Sequence, residues 1–182
     1  MKDYVQYIDK LYEDITLDLQ NKKASEESLP EFIILIGIPG SGKSFWISKV
    51  NNDNKYLVIS PDEIRREILR DVSDQSQNSK VWMITKQRVK DALKNGKSVI
   101  LDATMTNSRN RKDFIKDLPK CILKAKIFNV DPEVSKQRIK KDIESGRDRA
   151  KVPDDVIDRM HNELIKDIDK IEDEGFQIIW VS

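Results

Sequence analysis

Residues 32–48 read FIILIGIPGSGKSFWIS, and this stretch decides the fold. The apolar run FIILI passes into GIPGSGKS at 37–44, a full match to G-x-x-x-x-G-K-[ST], and FWISKV continues from it as a helix-forming segment. A loop of this kind works only between a strand and a helix N-terminus. Gly37, Gly40 and Gly42 let the backbone curl so that its N–H groups converge on one point. The helix start adds partial positive charge there. Lys43 is the residue that reaches the β- and γ-phosphates, and the Ser44 hydroxyl is a ligand for Mg²⁺. With Pro39 and Ser41 these residues form the expected nucleotide-binding loop.

Beyond the loop, strand-like and helix-like stretches alternate. The strand-like runs are FIILIG (32–37), YLVIS (56–60), SVILDA (98–103), ILKAKIFNV (122–130) and FQIIWV (176–181). Helix-like stretches lie near 43–50, 61–70, 79–95, 107–118, 132–145 and 154–174. The strands are rich in Ile, Val and Leu without clean alternation, as in a sheet covered on both faces. This pattern predicts an α/β P-loop NTPase fold: about five parallel strands flanked by helices, with right-handed crossovers. Ligands of such sheets sit outside the carboxyl ends of the strands.

The chain has 182 residues, enough for one good core. Charged residues make up 36% of it, yet the net charge is only +1. A protein that coats duplex non-specifically carries a stronger basic excess, so any nucleic-acid contact is expected to be local, at an end or a few nucleotides. The single cysteine, Cys121, precludes an internal disulfide and reads as a buried structural thiol. No apolar run approaches the roughly 20 residues needed to cross a bilayer, and the N-terminus lacks a signal-peptide core. These features predict a cytoplasmic protein without membrane contact.

In the N-terminal segment 1–24, Tyr4, Val5, Ile8, Leu11, Tyr12, Ile15 and Leu19 recur at helical spacing. That amphipathic helix packs on its own domain or supplies a dimer or partner contact. The polar NKKASEESLP at 21–30 reads as a connector, with the linker proper at 25–30 and the P-loop domain at 31–182.

Candidate chemistry gathers after the strands. In SPDEIRRE, Ser60, Pro61 and Glu63 read as helix-start residues, with Ser60 and Glu63 as a capping box. Asp62 and Arg65 are three apart and share a helix face. A carboxylate beside a guanidinium at the mouth of a phosphate pocket can orient a hydroxyl and bind a phosphate. Asp102 closes SVILD, the place for a carboxylate that helps hold Mg²⁺ or its waters, with Thr104 just beyond. Arg109 and Arg111 read as solvated helix-face residues. SGRDRAKVP (145–153) places Arg147, Arg149 and Lys151 between Gly146 and Pro153, a short basic loop suited to cover phosphates. Asp154 reads as the cap of the helix that follows. His161 has no evident partner, and Trp46, Trp82 and Trp180 read as core.

GIPGSGKSFW, SPDEIRRE, VILDATMTNSRNR and GRDRAKVPDDVIDRM, in this order and spacing, resemble the kinase domain of bacteriophage-type polynucleotide 5′-hydroxyl kinases. The resemblance runs from about residue 32 to 182. It implies that Lys43 and Ser44 hold the donor phosphates and Mg²⁺, with Asp102 on the family's strand-end acid, acting on the metal through water. It implies that Asp62 is the general base for the acceptor 5′-hydroxyl and that Arg65 binds the phosphate on the acceptor's 3′ side, with Thr104 on the same acceptor side. Arg147 would reach the donor phosphates from a lid, with Arg149 beside it. The known phage enzymes commonly attach a phosphatase domain with a D-x-D-x-T motif, and this chain ends first. The lid follows a longer run, IKKDIESG, which leaves the match of Arg138 open, and the N-terminal helix has no counterpart.

The reading is therefore an ATP-dependent polynucleotide kinase acting on single-stranded or end-exposed RNA or DNA. Two alternatives stand beside it. One is a P-loop kinase of a small hydroxylated substrate, of the zeta-toxin or antibiotic-phosphotransferase type. The other is a non-enzymatic, nucleotide-dependent binding module.

Overall fold

β1 (Glu31–Gly37) is the centre of the sheet, because every residue after Glu31 is buried. In the computed structural model, residues 15–16, 29–71, 75–147 and 152–179 are described. β2 (Leu57–Ile59), β3 (Val99–Leu101), β4 (Ile122–Phe128) and β5 (Gln177–Ile178) join β1 in one sheet of order β2-β3-β1-β4-β5. All pairings are parallel, with Ile34 level with Leu101 on one side and Ala125 on the other. The expected five-stranded fold is present, with β2, β3 and β5 shorter than their apolar runs.

Two cores follow from the two faces of β1. Phe32, Ile34 and Ile36 share one with Leu101, Ala125 and the inner sides of α2 (Pro61–Leu69), α3 (Asn78–Lys94), α4 (Ser108–Ile115) and α6 (Asp154–Asp167). Ile33, Leu35 and Ile100 face the other way, against Trp46 and Ile47 of α1 (Lys43–Val50). A third cluster, Ile38, Ile139 and Ile157, seats α5 (Pro132–Glu144) and α6 against the loop after β1. Each fully buried Ile or Leu contributes roughly 1.5–3 kcal/mol of transfer free energy.

From β1 the chain runs to the edge at β2, returns to β3 beside β1, then crosses to β4 on the far side. The connections diverge at β1 and β3, which puts the ligand crevice at their carboxyl ends. Backbone bonds lace those ends together: the Gly37 N–H donates to the Thr104 carbonyl at 3.0 Å, and the Asp102 N–H to that of Ile59 at 2.9 Å.

Several helix ends depart from the sequence reading. The capping box at Ser60 and Glu63 does not form, since Ser60 occupies the cap position without a side-chain cap bond. Pro61 removes one of the N–H groups that would need a partner, and Asp62 and Glu63 offset the dipole. Asp154 does not cap α6; it is the first helical residue, after an extended Pro153. The long helix expected to 174 stops at Asp167 and goes on as two 3₁₀ turns, Ile168–Lys170 and Glu172–Glu174, closed by Gly175 at φ 93°. Asp131 does cap α5, accepting from the Glu133 and Val134 N–H groups. Most of the N-terminal segment and linker lies outside the described residues, as do Arg149, Lys151 and Trp180. Ile15 and Thr16 are helical, with Ile15 half exposed. No described helix is long and apolar enough to cross a membrane.

The largest correction concerns Arg111. Arg109 is exposed, as its pattern suggested, but Arg111 is fully buried. Its Nε and Nη2 donate to Glu174 at 2.7 and 2.6 Å, and Nη1 donates to the carbonyls of Met105 and Thr106 at 3.0 and 2.9 Å. A charge taken out of water persists only when it is paired on every side. Glu174 also accepts from the Ser108 hydroxyl at 2.7 Å. The pair ties the turn before β5 to the loop after β3, where Met105 is held at φ 42°, a left-handed conformation unusual for a side chain with a Cβ. Arg111→Ala should cost about 3–5 kcal/mol in denaturant unfolding, because it strands Glu174, whereas Arg109→Ala should stay within about 0.5 kcal/mol. Equal effects of the two changes would refute the structural role given to Arg111.

Candidate functional site

The loop after β1 holds its shape through close contacts. A Cβ on Gly40 would come within 2.8 Å of the Ser135 carbonyl, and Gly40 sits at φ 80°. Gly42, at φ 102°, is the left-handed residue from which α1 starts. The Ser135 hydroxyl, fully buried on α5, donates a short hydrogen bond to the Pro39 carbonyl. Arg138, one turn further along α5, donates to the Gly40 carbonyl at 3.3 Å. So α5 braces the loop from outside. Lys43 curls over it, with Nζ donating to the carbonyls of Gly37 and Ile38 at 2.9 Å each. Ser44 is exposed on the first turn of α1, and the Ser41 hydroxyl is buried with no hydrogen-bond partner among the described residues.

A cavity of about 1470 Å³ opens over this loop. Pro39, Gly40, Ser41, Gly42, Lys43 and Ser44 all line it, whereas Gly37 does not. Asp62 and Arg65 from α2, Asp102 and Thr104 at the end of β3, and Arg147 after α5 line it as well. Apart from Gly37, the described residues expected to bind nucleotide, acceptor or metal thus line one cavity. A smaller cavity of about 390 Å³ behind β2 is lined by Ser60 and Glu63 but by none of the residues expected to bind nucleotide, acceptor or metal.

Asp62 and Arg65 form the most specific geometry here. Arg65 is only 4% exposed, although it sits on a surface helix. Its Nη1 donates to Asp62 Oδ1 at 2.5 Å and its Nη2 to Asn78 Oδ1 at 3.0 Å. Its Nε is buried and has no hydrogen-bond partner among the described residues. The Asp62 side chain is 66% exposed, so a carboxylate open to the cavity is steered by a guanidinium that cannot move far.

Asp102 sits at the end of β3, where burial raises its carboxyl above the ordinary range. Lys43 opposes that rise, while Asp62 and Glu63 add to it. These groups therefore share one electrostatic field. Arg147 is largely exposed and donates to Asp142 Oδ1 at 2.9 Å. Such a surface pair is worth at most about 1 kcal/mol, so it exchanges readily for a phosphate.

The sequence did not point to Ser135, Asn78 or a cavity position for Trp82. Ser135 and Asn78 act on residues 96 and 13 positions away, and no periodicity signals such pairings. Trp46 and Trp82 pack partly against the cores, as expected, but both also line the cavity. His161 lies outside it, half-buried, with an Nδ1 that has no hydrogen-bond partner among the described residues.

A family model described as an AAA domain matches residues 32–165, and the chain belongs to that family. No curated protein matches it. Among solved structures, a chain of the Pnkp1/Rnl/Hen1 RNA repair complex is similar over 79% of this chain and 46% of that one, with 24% identity and a TM-score of 0.68. A second structure of the Pnkp1/Rnl/Hen1 complex matches 61% of this chain and 39% of that one, with 25% identity and a TM-score of 0.55. The chain thus spans less than half the length of either. Deoxyadenosine kinase from M. mycoides, with bound dATP, is similar over 83% of this chain and 90% of its own, with 15% identity and a TM-score of 0.52. The fold is that of P-loop kinases.

The raised carboxyl of Asp102 has a consequence for stability. Above its folded-state value the native protein must hold a charge that burial disfavours, so stability is lost as pH rises from the ordinary value through the raised one. Asp102→Asn should therefore melt at a higher temperature than the parent at pH 7, without nucleotide or metal. The advantage should shrink as pH falls toward 3.8, the ordinary value. Thermal melts across that range check it, and a lower melting temperature for the variant at pH 7 would contradict it.

Proposed function

We propose that this AAA-domain chain is an ATP-dependent polynucleotide kinase that transfers a γ-phosphoryl group to the 5′-hydroxyl end of RNA or DNA. The observation that carries the reading is the Asp62–Arg65 pair: an exposed carboxylate and an almost wholly buried guanidinium 2.5 Å apart, facing the cavity over the phosphate loop. The likeness to chains of an RNA repair complex supports a nucleic-acid end as the acceptor.

In this reading the loop N–H groups, the α1 N-terminus and Lys43 bind the donor phosphates. Magnesium-bound ATP supplies the phosphoryl group and neutralises part of its charge. Ser44 and Asp102 are hard oxygen donors that fit such an ion, Asp102 through a water, and the described residues hold no cluster of three or more His, Cys, Asp or Glu that would bind it alone. Asp62 accepts the proton of the attacking 5′-hydroxyl. Arg65 holds the phosphate on the acceptor's 3′ side, with Thr104 contacting the same acceptor. Arg147 leaves Asp142 for the donor phosphates, and the proposal extends this role to Arg149. Transfer is in line, with catalysis by positioning and charge neutralisation. A cytoplasmic setting suits the single Cys121, whose thiol burial pushes up. The N-terminal helix is left for a contact with its own domain, a second copy or a partner.

The rival reading, a kinase of a small hydroxylated molecule, draws on the fold shared with deoxyadenosine kinase and on the net charge of only +1. The buried Arg65 weighs against it. A binding module without catalysis would have no need of Lys43, Ser44, Asp62 and Asp102 together.

Asp62→Asn should leave ATP affinity nearly intact and lower kcat by about 10²-fold or more, the scale of a lost general base. Turnover near that of the parent would make Asp62 a helix-start acid only. A second comparison separates the readings. A nucleoside 3′-monophosphate should be phosphorylated well and the bare nucleoside poorly, by about 1.5–3 kcal/mol in kcat/KM, the worth of a charge-assisted bond to Arg65. Arg65→Ala should erase most of that difference. Equal use of both acceptors by the parent protein would favour the small-molecule reading.

A further inference from the structure

Trp82 is a large aromatic residue with no assigned task on the wall of the cavity. It lies on α3, four residues after Asn78, so the two side chains leave the same face of the helix. Asn78 accepts from Nη2 of the buried Arg65, whose Nη1 is taken by Asp62. One side of the indole rests on the core, edge to face with Phe114 at 6.1 Å between centroids and 77° between planes. Trp82 is only partly buried and lines the same cavity as Asp62, Arg65, Gln75 and Asn78. Trp46, the other described tryptophan, sits on the opposite face of the sheet against Phe128 and belongs to the side of α1.

A planar apolar surface set beside a phosphate-binding guanidinium matches the two chemical parts of a nucleotide. Every nucleobase has a π-face to place there, and stacking of a base on an aromatic side chain tolerates any base identity. We propose that Trp82 forms a nucleobase subsite, on which the first base of the acceptor strand stacks while its 3′-side phosphate meets Arg65. The inference rests on the polynucleotide kinase reading and narrows it to acceptors whose terminal base is unpaired and free to leave its neighbour.

The test uses two 5′-hydroxyl oligodeoxynucleotides that differ only at the first residue, one carrying its base and the other an abasic tetrahydrofuran. The parent chain, Trp82→Ala and Trp82→Phe are compared by kcat/KM and by quenching of tryptophan emission on adding each oligonucleotide. The parent should prefer the base-bearing end by about 10-fold, mostly in KM. Trp82→Ala should bring that ratio close to one, and Trp82→Phe should keep most of it while losing the Trp82 share of the quench. A parent ratio near one, or a ratio that survives in Trp82→Ala, overturns the proposal. If the parent phosphorylates neither oligonucleotide, the kinase reading fails and the quench decides the subsite alone. Quenching by the base-bearing strand only, lost in Trp82→Phe, sustains it; equal quenching by both strands, or none, overturns it.

Discussion

A guanidinium removed from water needs close partners, and Arg111 finds them in one carboxylate and two carbonyls. This single arrangement fixes the loop after β3. It holds Met105 in a left-handed conformation, and it leaves Thr104 where its carbonyl receives the Gly37 N–H. The start of the phosphate loop is thereby tied to the end of β3, and Asp102 is held in the field of Lys43. The other end of the interaction is Glu174, in the turn that leads to β5. A pair outside the cavity lining thus connects the last part of the chain to the geometry of the first.

Around that frame the cavity divides into rigid and movable parts. The loop is braced by Ser135 and Arg138, and Arg65 is clamped between Asp62 and Asn78. Arg147, by contrast, is exposed and held by one surface pair. This division suits phosphoryl transfer, in which donor and acceptor must be prepositioned while charge is neutralised only after both are bound. Asp62 stands between the two classes, exposed like Arg147 yet steered by a buried partner.

Much of this was legible in the sequence, for local reasons. The phosphate loop announces itself because Gly40 and Gly42 take left-handed conformations that other residues resist. The continuous apolar β1 reads as a strand buried on both faces, and the helix-like stretch near 132–145 becomes α5. What stayed hidden depends on residues distant in the chain. Arg111 looks like a solvated arginine until Glu174, 63 residues away, is placed against it. The partner of Arg65 is Asn78, whose own neighbourhood carries no signal. Trp82 fits a core stripe equally well whether its outer side meets protein or cavity. The ends of α6 were misjudged because a capping pattern and a 3₁₀ continuation share their residue preferences with a plain helix.

The central claim is that the 5′-hydroxyl of a nucleic acid is the acceptor. Its most direct test is to incubate the protein and Mg²⁺ with ATP labelled at the γ-phosphate and a 5′-hydroxyl oligoribonucleotide, a 5′-hydroxyl oligodeoxynucleotide, the same strands already 5′-phosphorylated, or no acceptor. The label should move to at least one of the 5′-hydroxyl strands, to neither phosphorylated strand, and only slowly to water. Release of label at the same rate with and without acceptor, and none on any strand, would contradict the account.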